Sequence, residues 1–195
     1  IQTSLVGSEM CIRDSIQGMN IAITQRTTDI NGFTYDCTSH AWYTMLYKHN
    51  IRPISNRETF DISTVDMLIL SGGNDSTERT RTEGYLVHDA INEDVPILGV
   101  CHGAFMLNKY FDGTNMHIEG HHNTKHPVEL EGHMYMNINS YHSIGIHTLG
   151  KQLKEIGNDT DGHCEAFKHR DFRIWGVVWH PERMEDILLP SEIRD

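Results

Sequence analysis

The stretch PILGVCHGAF, residues 96–105, carries an apolar run to a single cysteine, with a glycine two positions to either side of it. A continuous apolar run of this length reads as a strand buried on both faces. The segment HGAFMLNKYF, residues 102–111, follows at once and reads as a helix. A strand that ends in Gly-x-Cys-x-Gly and turns straight into a helix is a nucleophile elbow in cysteine form. Gly99 and Gly103 lack Cβ atoms, which lets the chain turn sharply against the sheet. The thiol of Cys101 then sits near a helix N-terminus, whose dipole favours a thiolate and lowers the cysteine pKa. The backbone N–H of His102 points where an oxyanion would form. The competing reading is a small apolar residue filling a strand end, as free cysteines often do.

Outward from this point the pattern repeats. NIAIT (20–24) and IRPIS (51–55) are short strands, and DMLILSGG (66–73) is an apolar run closed by two glycines. Asp36 is a plausible N-cap for a helix through DCTSHAWYTMLYKHN, with Trp42, Met45 and Leu46 on one face. Residues 79–93 place Leu86, Val87, Ala90 and Ile91 on one helical stripe. Strands alternating with helices predict an α/β domain on a parallel sheet. From about residue 126 the pattern changes to short strands: HPVEL, HMYMNIN, HCEAFKH and RIWGVVW. Residues 182–194 read as a closing helix. Arg79, Arg81, His88, Trp42, Tyr43 and Tyr47 read as surface and core.

Composition narrows the classes. A chain of 195 residues is most simply one domain with a full core. A formal net charge of −11 argues against a nucleic-acid surface, which needs clustered Lys and Arg. No apolar run is long enough for a bilayer span. The four cysteines show neither metal spacing nor a dense disulfide pattern, so a reducing cytoplasm is expected. Residues 1–15 stand apart: SLVGSEMCIRD resembles a translated sequencing adaptor and makes a poor signal peptide. They are set aside as a non-native segment, with Met19 as the expected natural start and a final helix expected to be truncated.

A thiolate nucleophile needs a base, and the base an orienting group. GVVWHPER (176–183) offers both. An apolar strand delivers His180, Pro181 stops it, and Glu182 lies two residues on, facing the same way in extended chain. Cys101, His180 and Glu182 are therefore the candidate catalytic set. For His180 alone the plainer reading is a surface histidine.

GVCHGAF together with GVVWHPER resembles the class I glutamine amidotransferases, whose pattern is G-x-C-x-G and a late H-P-E. The resemblance covers nearly the whole chain after Met19 and implies one domain over residues 19–195, a flavodoxin-like three-layer sandwich with a small antiparallel extension. LILSGGND resembles the loop that supplies a second oxyanion donor, which implies the N–H of Gly73 paired with that of His102. INSYHSIGI resembles the N-S-x-H segment of the peptidase C26-like γ-glutamyl hydrolase branch. That implies glutamyl contacts at Tyr141, His142 and Ser143, largely through backbone. DGHCEAFKH resembles a strand of the same branch. Taken with AITQR, these segments look most like the small stand-alone enzymes similar to γ-glutamyl-CDP-amidate hydrolase, which act in surface-polysaccharide or capsule synthesis. The resemblance implies a small-molecule γ-glutamyl substrate, a thioester intermediate, and no cofactor or metal. Gly72, Asn74 and Arg26 are the remaining substrate candidates, because Arg26 and Asn74 follow strands on the reactive edge of the sheet.

Two positions depart from the family pattern. Phe105 stands where a substrate-holding Gln is usual, and His102 where Arg is common. The motif Cys-His-Gly also occurs in the PfpI-type intracellular proteases, where the adjacent histidine is the base. The alternative functions are a glutaminase subunit feeding ammonia to a separate synthase, which Phe105 speaks against, and a non-catalytic module. His117, His121, His122 and His126 offer four imidazoles to a zinc ion. With no carboxylate or cysteine spacing beside them they read as a solvated loop, in which a histidine or Asn123 would meet an acidic leaving group.

Overall fold

The computed structural model describes residues 18–194, so the expectations for residues 1–15 lie outside the described residues. Three fully buried runs of apolar side chains build the middle of the main sheet. They are β5 (Met67–Leu70), β6 (Ile97–Val100) and β13 (Ile174–Val177). With β1 (Asn20–Thr24) and β4 (Asn50–Ile54) they form a parallel block in the order β4-β1-β5-β6-β13. Pro53, which has no N–H to give a ladder, sits in the edge strand β4. Helices α2 (Thr77–Asn92) and α3 (His102–Tyr110) follow β5 and β6, as the periodicity predicts.

The antiparallel extension contributes four strands to the same sheet. Beyond β13 lie β12 (Cys164–His169), β11 (Leu153–Asp159), β8 (His122–Leu130) and β9 (His133–Tyr141). A separate pair joins β7 (Thr114–His117) to β10 (Ile144–Thr148).

Two expected helices are corrected. The segment from Asp36 begins as strand: β2 (Arg26–Ile30) and β3 (Phe33–Cys37) form a hairpin. Its two-residue turn is Asn31-Gly32, both at positive φ, the pairing that type I′ turns demand. Helix α1 spans only His40–Met45 and is capped by Ser39, not Asp36. Asp36 instead accepts hydrogen bonds from Ser55 Oγ at 2.6 Å and Asn56 N at 2.9 Å, tying the hairpin to the loop after β4. The closing helix over 182–194 is also absent. A 3₁₀ turn covers Pro181–Arg183, and α4 is the single turn Ser191–Arg194. Pro190 disfavours helical backbone at Leu189. Leu188 and Leu189 are buried, and the Leu188 carbonyl accepts from the indole of the fully buried Trp179.

Parallel strands end together, and this positions the site. Leu70 pairs with Gly99, and Val100 with Val177. The segments that leave β5, β6 and β13 therefore emerge side by side at the carboxyl edge of the sheet, where open α/β sheets bind ligands.

Candidate active site

Cys101 occupies the elbow itself, at φ 50 and ψ −105. A non-glycine residue held there costs about 1–3 kcal/mol and persists only when its surroundings fix it. They do. A Cβ on Gly103 would lie 2.1 Å from the Leu70 carbonyl oxygen, and one on Gly99 would lie 2.7 Å from that of Gly103. Cys101 N donates to Val177 O at 2.8 Å, and Phe105 N donates to Cys101 O at 3.1 Å.

The thiol does not behave as the helix dipole alone predicts. Burial pushes its pKa up to about 12, outweighing the hydrogen bond from the His102 N–H. The resting group is a thiol, and it needs a base in place.

His180 is delivered by β13, the strand hydrogen-bonded beside β6. A Cβ on Gly72 would lie 2.5 Å from His180 Cε1 and 3.4 Å from Cys101 Cβ, so only glycine fits between the two. His180 Nδ1 is 2.7 Å from Glu182 Oε1, with both residues buried. Donation of the Nδ1 proton to this carboxylate leaves Nε2 as the basic nitrogen. Asn139 clamps the same residue from β9: its amide donates to His180 O at 2.8 Å and accepts from His180 N at 2.9 Å.

A second histidine adjoins the thiol. His102 Nε2 lies 3.4 Å from Glu83 Oε2. Glu83 also receives Arg79 Nε at 2.9 Å and Thr24 Oγ1 at 2.7 Å. Burial opposes its ionisation, but the His102 imidazole and the Arg79 guanidinium outweigh burial and hold the carboxyl below its usual range. Arg79, expected at the surface, is fully buried. It donates to the carbonyls of Ser71 and Asn74 and so shapes the loop after β5. In that loop Gly73 has φ +139, and a Cβ there would meet Arg26 Cβ at 2.6 Å.

The other candidates divide. Arg26 and Gly72 line a small crevice with Glu182 and Arg183. Asn74 donates to Thr27 Oγ1 at 2.8 Å, joining the loop to the hairpin. Tyr141 packs edge-on to His180 at 5.6 Å between centroids, with the Arg183 guanidinium over its ring. Ser143 is exposed, and its carbonyl accepts from Ile118 N. Phe105 is buried with its ring 5.8 Å from that of His142. His142 turns its imidazole inward: Nδ1 faces the Ile144 carbonyl at 2.8 Å and Nε2 faces Glu165 at 3.8 Å. Burial pushes the His142 pKa down to about 4 and raises that of Glu165 well above the carboxylate range.

The 117–126 segment is not the solvated loop expected. His117 and His122 are exposed, but His121 is buried and His126 half-buried. Both lie close to His142 and Glu165. Asn139, Arg79, Glu83, Asp159 and Glu165 are the residues that sequence reasoning missed. Asn139 and Glu165 lie inside segments already singled out, whereas Arg79 and Glu83 carry no local signal.

A family model for peptidase C26 matches residues 53–182, which contain Cys101, His180 and Glu182. The chain belongs to the peptidase C26 family. This C26 chain is 32% identical to γ-glutamyl-CDP-amidate hydrolase of Campylobacter jejuni, over 85% of this chain and 90% of that one. It is 30% identical to the glutamine-hydrolysing GMP synthase subunit of Methanococcus vannielii, over 59% of this chain and 63% of that one. A glutamine amidotransferase from Thermotoga maritima superposes with a TM-score of 0.68 at 14% identity, covering 85% of this chain and 77% of that one. The fold is that of the class I glutamine amidotransferases, and the family is one of hydrolases. No described helix is long and apolar enough to cross a membrane.

Proposed function

We propose that this chain hydrolyses a γ-glutamyl amide through a γ-glutamyl thioester on Cys101. His180 Nε2 takes the thiol proton as sulfur attacks the δ-carbonyl carbon. The N–H groups of Gly73 and His102 receive the oxyanion of the tetrahedral intermediate. His180 then protonates the leaving nitrogen, and the C–N bond breaks. Water, activated by the same imidazole, cleaves the thioester and releases glutamate. Glu182 holds the tautomer and stabilises the imidazolium. The 2.7 Å contact between His180 and Glu182, set against a strained and buried cysteine, carries this reading.

The substrate proposed is γ-glutamyl-CDP-amidate or a related γ-glutamyl compound, supported by the Campylobacter relative and by Phe105. A screen of γ-glutamyl-CDP-amidate, γ-glutamyl-γ-aminobutyrate and glutamine tests it. The highest kcat/KM should fall on the first, with no turnover by Cys101→Ala. Turnover of none of the three by wild type, or persistence in Cys101→Ala, overturns the proposal. The similarity to the GMP synthase subunit favours a second reading, a glutaminase feeding ammonia to a synthase partner. Efficient turnover of glutamine, raised by such a partner, would select it.

A further inference from the structure

We propose that His121, His126, His142 and Glu165 form a closed site for a divalent transition metal, with zinc the ion that fits them. One ligand atom from each lies within 4.8 Å of every other. In a tetrahedral zinc site, with Zn–N of about 2.0–2.1 Å, neighbouring ligand atoms stand about 3.4 Å apart. Closure therefore asks for side-chain shifts of about an ångström.

The hydrogen bonds decide which atoms are offered. His126 Nδ1 faces the Pro127 carbonyl at 3.1 Å, and His142 Nδ1 faces that of Ile144 at 2.8 Å. A carbonyl only accepts, so each Nδ1 carries the proton and each Nε2 presents a lone pair. His121 is held the other way round, with Nε2 at 3.1 Å from Asp159 Oδ2 and Nδ1 turned inward. These three inward nitrogens are buried and without a hydrogen-bond partner, and Glu165 Oε1 faces them at 3.5 Å from His121 Nδ1 and 3.8 Å from His142 Nε2. Three unsatisfied nitrogens and a carboxylate oxygen converging on one point are costly unless something fills it. An ion does so, because all four can present lone pairs. Each histidine already has the outer-shell acceptor that metal-bound histidines require, the carboxylate of Asp159 among them.

The strand geometry serves the same end. His121 and His126 are five residues apart, and a regular strand would aim them to opposite faces. A bulge at Asn123, which stands at φ 56 where the register shifts, adds the residue that brings them together. The neighbouring group of His121, Asp159 and His163 is not the site. Asp159 Oδ2 already meets both imidazoles, and its Oδ1 accepts the N–H groups of Asp161 and His163. With all four ligand residues largely removed from solvent the ion would be structural. It would fasten β8, the turn after β9 and β12 together beside Tyr141 and Phe105.

The test is metal binding to the intact chain, read without activity. Chelator-treated protein is titrated with Co²⁺ and Zn²⁺, with metal content measured after dialysis. One metal per chain and the intense visible bands of four-coordinate Co²⁺ are expected. His126→Ala and Glu165→Gln should abolish both, while Asp159→Asn should weaken affinity by roughly 10–100-fold. His117→Ala and His122→Ala, at exposed positions, should change nothing. Wild type that retains no metal or shows no four-coordinate Co²⁺ spectrum overturns the proposal, whatever the variants do. So does binding that survives His126→Ala and Glu165→Gln and falls with the exposed histidines.

Discussion

Two histidine–carboxylate pairs flank Cys101, one beside it in sequence and one carried by the neighbouring strand. His180 lies 2.7 Å from Glu182, and His102 lies 3.4 Å from Glu83. The difference is in what else each carboxylate serves. Glu83 is bound by a buried guanidinium and by a threonine hydroxyl, so its charge is already compensated when His102 reaches it. Among the described residues Glu182 has, beside His180, the grazing contact of Arg183 at 3.5 Å. A carboxylate stabilises an imidazolium in proportion to the charge it still presents. The His180 pair is thus suited to proton transfer, and the His102 pair to holding the loop after β5 against α2. Breaking a buried pair such as Arg79–Glu83 typically costs about 3–5 kcal/mol, which fits a structural role.

The largest expected effect separates the two histidines directly. His180→Ala should lower kcat/KM by roughly 10³-fold, within the range for loss of a positioned general base. His102→Ala should stay within about tenfold, because its backbone N–H remains. Steady-state kinetics on variants with wild-type circular dichroism check this. The reverse ranking would assign the base to His102, as in the PfpI-type proteases.

The next effect concerns the thiol. With its pKa pushed up to about 12, the thiolate fraction of Cys101 is small at neutral pH. It grows about tenfold per pH unit until the pKa is reached. Alkylation of the Cys101 peptide, followed by mass spectrometry, should climb steadily from pH 7 to 10 with no plateau. A plateau near pH 8 would mean that the helix N-terminus, not burial, sets the resting state.

What the sequence makes legible follows the same division between local and distant causes. The elbow, β5, β6 and β13 are readable because fully buried parallel strands are continuous apolar runs, here closed by a glycine pair, the Cys101 elbow and Pro181 in turn. The His180–Glu182 pair is readable because its members are two residues apart in extended chain. Arg79 is not, because its i,i+4 partner Glu83 makes it look like one side of an exposed helix. Its guanidinium is engaged by the carbonyls of Ser71 and Asn74 in the loop after β5, which the sequence does not announce. The hairpin of β2 and β3 buries no residue fully, so the short alternation of Phe33, Tyr35 and Cys37 is weak and the Asn31-Gly32 turn is its clearest local sign. The histidine cluster is half visible. The carboxylates that complete it, Asp159 and Glu165, come from strands more than thirty residues further on.

A smaller effect should come from the acid of the proposed catalytic pair. Glu182→Gln keeps the shape and removes the charge, so the imidazolium loses its stabilisation while Asn139 still clamps the backbone of His180. A loss of roughly 10²-fold in kcat/KM is expected, short of His180→Ala, since the base itself remains. A loss equal to that of His180→Ala would mean that the amide locks the wrong tautomer.

The smallest effect tests how far the site has moved from recognising glutamine. Phe105 stands one turn after Cys101 with its ring against His142, where relatives of the resembled family place a hydrogen-bonding Gln. A missing hydrogen bond is worth about 0.5–1.5 kcal/mol, roughly two- to tenfold in affinity. Free glutamine has only ammonia as its leaving group and no remote contacts to make up the loss. Under the proposed function a larger γ-glutamyl amide would draw on Arg26, Asn74 and the crevice beside Gly72, and such contacts raise kcat/KM when they strengthen in the transition state. Phe105→Gln should therefore improve glutamine turnover by that small factor while leaving the larger amide unchanged or slower. The measurement is the ratio of the two kcat/KM values, taken well below the melting temperature because a buried ring has been lost. A ratio that does not move would place substrate selection in the leaving-group contacts alone. Equal improvement of both substrates would show that Phe105 obstructs the glutamyl group itself.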